Sequence, residues 1–342
     1  MKSHLWVWAV AGLTLAVAPA RAWDYAGHRL VNEVALAALP PEFPSFVREP
    51  RNAERIAFLA GEPDRWRNTA DLPVKQANGL DHYLDVEQLA AAGLDASTVT
   101  SFRYDFAVQF AAGRAAHADR FPGIDWSKNT DHSREWPGFA PWAVAENYGK
   151  LKSAFSYLKA FEEAGTPGEI ADTKENILYV MGVMGHYVGD LAQPLHTTDR
   201  HNGWTGDNPH GYSTWSGLHA WIDGGFLAKA GVGFDELRPQ VKPARAIALA
   251  PRPDGRDPLF VAVMAYLLDQ HAQVEPLYQL EKAGKFGHDD QPVTPEGRAF
   301  IDGQLVRGGE MLAAVWLTAW RNAGPDPYLR AQLLKRQAEA AR

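Results

Sequence analysis

Cysteine is absent from all 342 residues. That excludes disulfide staples, thiolate zinc fingers, iron–sulfur clusters and a cysteine nucleophile together. No N-x-[ST] sequon occurs, so N-glycosylation is not expected. An excess of positive charge is missing too: 34 Lys and Arg against 41 Asp and Glu give a formal charge of −7. Such a chain does not bind polyanions through a broadly basic surface, so any handling of phosphate must draw positive charge from a local source. Beyond residue 22 no stretch offers about 18 uninterrupted apolar residues, so no membrane span is expected after processing. What the chain does have is apolar mass, 46% of its residues, with 12 Trp and 12 His. That is ample for one substantial core.

Residues 1–22 read as a signal peptide. Lys2 and His4 precede an apolar run from Leu5 to Ala18, and Ala20-Arg21-Ala22 fits the small-x-small cleavage rule. Cleavage there leaves Trp23 as the new N-terminus and implies export, to a periplasm or outside the cell. Residues 23–325 read as one domain and 326–342 as a basic tail, with Arg330, Lys335, Arg336 and Arg342 on a solvated helix. Apolar spacing and Pro/Gly punctuation predict helices over Val31–Leu39, Ala143–Ala164, Glu169–Leu191, Ser216–Ala230, Asp257–Gln273 and Pro295–Asn322. No period-two stretch competes, so the expected class is all-α, a single multi-helix domain. Residues 90–136 look like an irregular insertion, and Thr197–Thr214 like a long loop of the kind that often carries function.

His186 and Asp190 stand four apart on one predicted helix, and His219 and Asp223 repeat that spacing. Such imidazole–carboxylate pairs suit zinc. Spacing alone is weak evidence, since this composition gives about 1.4 His-x-x-x-acid pairs by chance. The setting adds more, because the apolar run Val180–Gly185 leads straight into His186. Unpaired charge there would be costly to bury, and a metal would offset it. Satisfied polar pairs remain the alternative on these residues alone.

Upstream, Trp23 is followed five residues later by His28, Asp64 sits in Gly-Glu-Pro-Asp-Arg-Trp-Arg, and His82 sits in Asp-His-Tyr-Leu-Asp. With His196 these residues make the chain resemble the zinc-dependent single-strand-specific nucleases (type I nucleases), relatives of the zinc-dependent phospholipases C. The resemblance covers Trp23 to about Asp223. It implies an all-α fold around three zinc ions, bound by Trp23 and His28 sharing Asp190, by Asp64, His82, His186 and Asp190, and by His196, His219 and Asp223.

It further implies a catalytic Asp85 that orients the attacking water and an Arg67 that contacts the phosphate. On the residues alone, Asp85 could instead be a cap and Arg67 a surface ion-pair partner. Tyr83 and Asn208 are the expected substrate-binding residues, Tyr83 by stacking on a base, with a core role the alternative for Tyr83. The implied activity is a zinc-dependent endonuclease that cuts single-stranded DNA and RNA to 5′-phosphorylated products with a metal-bridged hydroxide. Single-stranded nucleic acid is then the partner, and no stable protein partner is implied. A phospholipase C, a nucleotide phosphomonoesterase and a non-catalytic zinc protein are the rival readings. Departures from the family pattern fall on the substrate side: Asp207 in Gly206-Asp207-Asn208, Gly217 in place of an asparagine, and the missing cysteines.

Overall fold

Five of the helices start at a side chain that caps them: Asp24, Thr166, Asp257, Thr294 and Asp326. The computed structural model describes residues 23–288 and 290–342, so the expected signal peptide lies outside the described residues. Helix α1 spans Tyr25–Ala38. Its cap is Asp24, whose Oδ1 accepts from the amides of Ala26 at 3.1 Å and Gly27 at 3.3 Å. The cap explains why the helix begins well before the predicted Val31. Four short helices follow, α2 (Pro50–Leu59), α3 (Glu62–Arg67), α4 (Leu72–Gly79) and α5 (Val86–Ala91), then α6 (Arg103–Ala116). Long helices α7 (Ala140–Ala164) and α8 (Pro167–Ala192) come next. A capping box starts α8: Glu169 Oε2 accepts from the Thr166 amide, and Thr166 Oγ1 from the Glu169 amide.

The predicted helix at 216–230 is three pieces: α9 (Leu218–Ala220), a π-turn over Trp221–Gly225, and α10 (Phe226–Ala230). The rest are α11 (Phe234–Leu237), α12 (Pro258–His271), α13 (Val274–Lys282), α14 (Pro295–Asn322) and α15 (Pro327–Ala340). Among the described residues there is no strand, and the class is all-α as expected. No described helix is long and apolar enough to cross a membrane.

The core lies where α1, α7, α8 and α14 pack on one another. Val31, Val34, Met181, Met184, Leu305 and Trp316 are buried there together. Glycines on α8 set how closely α1 approaches. A Cβ at Gly185 would lie 1.6 Å from Asn32 Oδ1, and one at Gly189 would lie 3.0 Å from His28 Nδ1. This glycine face brings His28 against the end of α8 that carries Asp190.

Two expectations change. The stretch 90–136 is not merely irregular, for it holds α6, whose Phe106 is buried and stacks on Trp142 at 4.0 Å between ring centroids. The basic tail is a docked helix rather than a wholly solvated one. Leu333 of α15 packs with Ala160 and Ala164 of α7, and Arg336 pairs with Glu169 at 2.7 Å. Of the loop expected over Thr197–Thr214, Thr197 closes a 3-10 turn (Pro194–Thr197) and the remainder contains no helix.

Candidate metal centre

Seven segments deliver the eight predicted side-chain ligands to one region, the last two being α9 and the π-turn. Helix α1 brings His28, α3 Asp64, the turn Leu80–His82 His82, α8 both His186 and Asp190, and the turn Pro194–Thr197 His196. Neither α9 alone nor the π-turn alone would pair His219 with Asp223. Their junction sets His219 Nε2 3.1 Å from Asp223 Oδ2, and π-turns are recurrent at functional sites. Three groups result in which every ligand atom lies within 4.8 Å of the others: His28, His186 and Asp190; Asp64, His82 and His186; and His196, His219 and Asp223. Together they contain the eight side chains expected as ligands, and these groups can hold metal ions. The ninth expected ligand, Trp23, is fully buried, with its indole Nε1 donating to Gly189 O at 3.0 Å, one residue before Asp190.

Asp190 belongs to the first group and lies against the second, which shares His186 with the first. Its Oδ2 is 3.0 Å from His82 Nδ1 and 3.3 Å from His186 Nε2, and its Oδ1 is 3.4 Å from His28 Nε2. Neighbouring backbone fixes several rings. His186 Nδ1 donates to Ala60 O at 2.6 Å and His196 Nδ1 to His82 O at 2.7 Å, so Nε2 of each is the lone-pair nitrogen facing the site. Gln193 Nε2 donates to Asp223 Oδ1 at 2.6 Å, which orients that carboxylate.

Electrostatics make the case for a cation. Burial pushes His28, His82 and His219 well below the ordinary imidazole value, and nearby imidazoles and Arg67 add to the effect. Burial likewise takes His186 down to about 4 and His196 to about 3. All five are therefore neutral at pH 7, the ligating form. Burial pushes the Asp190 and Asp223 carboxyls well above their usual range, with too little positive charge nearby to reverse it. Among the described residues, thirteen buried polar side-chain atoms lack a hydrogen bond, and ten of them belong to His28, Asp64, His82, Asp190, His196, His219 and Asp223. Orphaned buried atoms are rare in folded proteins, and their concentration on an imidazole and carboxylate set fits side chains able to hold a cation. Asp64 Oδ1 is a special case, since Arg67 Nε stands 2.8 Å from it as an ion-pair partner.

A cavity of about 810 Å³ opens onto this centre, lined in part by His196, His219, Arg67, Tyr83 and Asp85. The strip holding Tyr83 and Asp85 is stitched in place by backbone bonds: Leu84 N to His196 O at 3.0 Å and Asp85 N to Pro137 O at 2.7 Å. Gly138 is required there, because its φ is 98° and a Cβ would lie 2.1 Å from Tyr83 O. Asp85 stands in the N-cap position of α5 but makes no capping bond. Its Oδ2 instead accepts from Gln88 Nε2 at 2.7 Å. Burial, then Asp199 and Glu87, push the Asp85 carboxyl up. Arg67 combines both expectations for it, pairing with Asp64 while lining the cavity.

Asn208 is not brought to the cavity. Its side-chain amide closes a local loop instead, donating to Tyr212 O at 2.9 Å and accepting from Tyr212 N at 2.8 Å. Sequence reasoning missed other cavity residues, among them His201, Asn202, Arg114, Arg120 and Arg134. Only the placement of Asn202 and His201 within the unpatterned Thr197–Thr214 loop pointed their way. No protein-family model matches the chain, and a search of curated proteins finds no match.

Proposed function

We propose that this protein is an exported, zinc-dependent phosphodiesterase that cleaves single-stranded DNA and RNA to 5′-phosphorylated products. The observation that carries the reading is the meeting of three His/Asp groups, built from the eight expected side chains, beside a cavity that also holds Arg67 and Asp85. Three zinc ions would be held by those eight side chains together with Trp23. Bound there, they would supply Lewis acidity toward phosphoryl oxygens and lower the pKa of a water.

The chain's own residues supply the rest. Arg67 is held by Asp64 and presents its guanidinium where it can donate to the non-bridging oxygens of a phosphate. Asp85 Oδ1 takes no hydrogen bond from the described residues, while Oδ2 is fixed by Gln88. Oδ1 is thus placed to accept from a water and to aim it at phosphorus, with O3′ as the leaving atom. Tyr83 offers a ring face on which any base can stack. A recessed centre favours flexible single strands, because a duplex cannot bend one phosphate inward without losing stacking.

The test is to incubate the zinc-loaded chain beginning at Trp23 with matched single- and double-stranded oligonucleotides and to identify products by mass spectrometry. Chelator-sensitive release of 5′-phosphorylated fragments, faster from the single strand, is the expected result. Equal rates on both would remove the single-strand preference. No cleavage at full zinc occupancy would overturn the phosphodiesterase reading and turn attention to phosphocholine lipids and nucleoside monophosphates.

A further inference from the structure

The cavity beside the metal groups has a second feature that the ligand pattern does not account for. Arg114 in the last turn of α6, Arg120 just after it and Arg134 in the loop before α7 all line it. None of the three forms an ion pair among the described residues, whereas Arg29, Arg103, Arg298 and Arg330 all do. Arg114 is pinned: it donates to Glu135 O at 3.1 Å, and its guanidinium lies 4.7 Å from the centre of the Phe121 ring. Arg120 and Arg134 are exposed, and the side-chain hydrogen bond of Arg120 among the described residues is a long one, 3.5 Å to Ala91 O.

We propose that Arg114, Arg120 and Arg134 form a phosphate-binding wall that holds the backbone of a single-stranded nucleic acid beside the reacting phosphate, so that the cavity takes an oligonucleotide rather than one nucleotide. This rests on the phosphodiesterase reading above. Three arguments carry it. Guanidinium groups without a carboxylate partner are available for bidentate contacts to phosphate. The cavity, at about 810 Å³, is near the top of the range of about 300–1,000 Å³ for sites that take one small ligand, which leaves room beyond a single nucleotide. Finally, the cavity is divided in sign. Asp85, Glu87 and Asp199 crowd together, each of the latter two raising the Asp85 carboxyl. Like charge there keeps phosphates with the arginines. The wall also answers how a chain of net charge −7 can hold a polyanion: the positive charge is local.

The test uses zinc-loaded protein and a nuclease-resistant phosphorothioate decathymidylate, with binding followed by fluorescence anisotropy across a salt series. The double variant Arg120→Ala/Arg134→Ala should bind about tenfold or more weakly. Its log–log salt slope should be shallower by about 1.4, from about 0.7 per lost phosphate contact on a single strand. The charge-keeping Arg120→Lys/Arg134→Lys variant should recover most of the slope. Arg245→Ala removes an exposed arginine outside the cavity and should bind within about twofold of the parent. Unchanged affinity and slope in the double alanine variant would overturn the wall, as would no binding by the parent. Cleavage of ordinary decathymidylate with binding indifferent to the arginines removes the wall and leaves the phosphodiesterase. Arginine-dependent binding without cleavage of any strand does the reverse.

Discussion

Replacing Asp190 with Asn should have opposite effects on the metal-free and metal-loaded protein. The carboxylate is fully buried, neither oxygen has a hydrogen-bond donor, and burial holds its pKa well above 3.8. Without metal, folding at neutral pH must therefore either bury a charge or take up a proton. Asn keeps the shape and carries no charge, so that cost disappears. An uncompensated buried ion costs several kcal/mol, and a gain of about 2–3 kcal/mol in chelator is expected. At about 2 °C per kcal/mol for a chain of this length, Tm should rise by about 4–6 °C. The sign with pH is fixed. A group whose folded pKa is raised contributes its stability below the unfolded value of 3.8 and loses it as pH rises through the folded value. The advantage of Asn in chelator should thus vanish near pH 3.8 and grow toward neutrality. With zinc the sign reverses. Losing a carboxylate of the first group that also lies against His82 of the second should weaken binding at least about a hundredfold, removing about 2.7 kcal/mol of ligand-linked stability. Differential scanning fluorimetry in chelator and in excess zinc measures both terms. If Asp190→Asn lowered Tm equally in the two conditions, the carboxylate would be a structural acceptor and the metal argument would fail.

Asp85→Asn should cut turnover by about 10²–10⁴-fold while zinc content, read by atomic emission, stays at the parent level; unchanged turnover would remove the role given to Asp85. Acid should strip the metal late. His186 and His196 gain protons only near pH 4 and 3, so zinc should survive dialysis at about pH 5, where exposed imidazoles are already protonated, and depart below about pH 4. Loss that follows ordinary histidine titration near pH 6.5 would contradict the shielding. Gly185→Ala should destabilise by about 3–5 kcal/mol, because the new Cβ displaces Asn32, whose Nδ2 donates to Ile56 O at 2.8 Å and Gly182 O at 3.2 Å. Gly149→Ala is the contrast: nothing lies within 4 Å of its Cβ at an exposed position of α7, so helix propensity should stabilise by about 0.5–1 kcal/mol. Urea denaturation of both variants checks the pair, and a neutral Gly185→Ala would mean the α1–α8 approach is looser than it looks.

The long helices were legible because one face of each must be buried, and that requirement repeats every three to four residues. Pro295–Asn322 and Ala140–Ala164 carry the period over many turns and end at Pro or Gly. The short helices α2 to α5 run six to ten residues, too few for a period to stand out, and sequence reading passed over them. Their placement depends on contacts made across the chain, as when Leu84 N finds His196 O. The ligand set was legible for another reason. Its pattern lies in the order and type of residues rather than in periodicity, and the fold gathers the eight expected side chains into three groups that could hold metal ions.

Substrate-side residues obey neither logic. Asn208 carries a functional-looking motif yet spends its side chain on Tyr212, because a long loop must satisfy its own backbone before it can serve a ligand. Arg114, Arg120 and Arg134 have no motif at all. They become visible only when α6 folds back and brings three guanidinium groups to one cavity, none of them in an ion pair among the described residues. Metal ligands are constrained by coordination chemistry, which leaves a trace in the sequence. Phosphate contacts need only positive charge within reach, which any arginine on any nearby loop can provide, so the arginine wall proposed above had to be read from the fold.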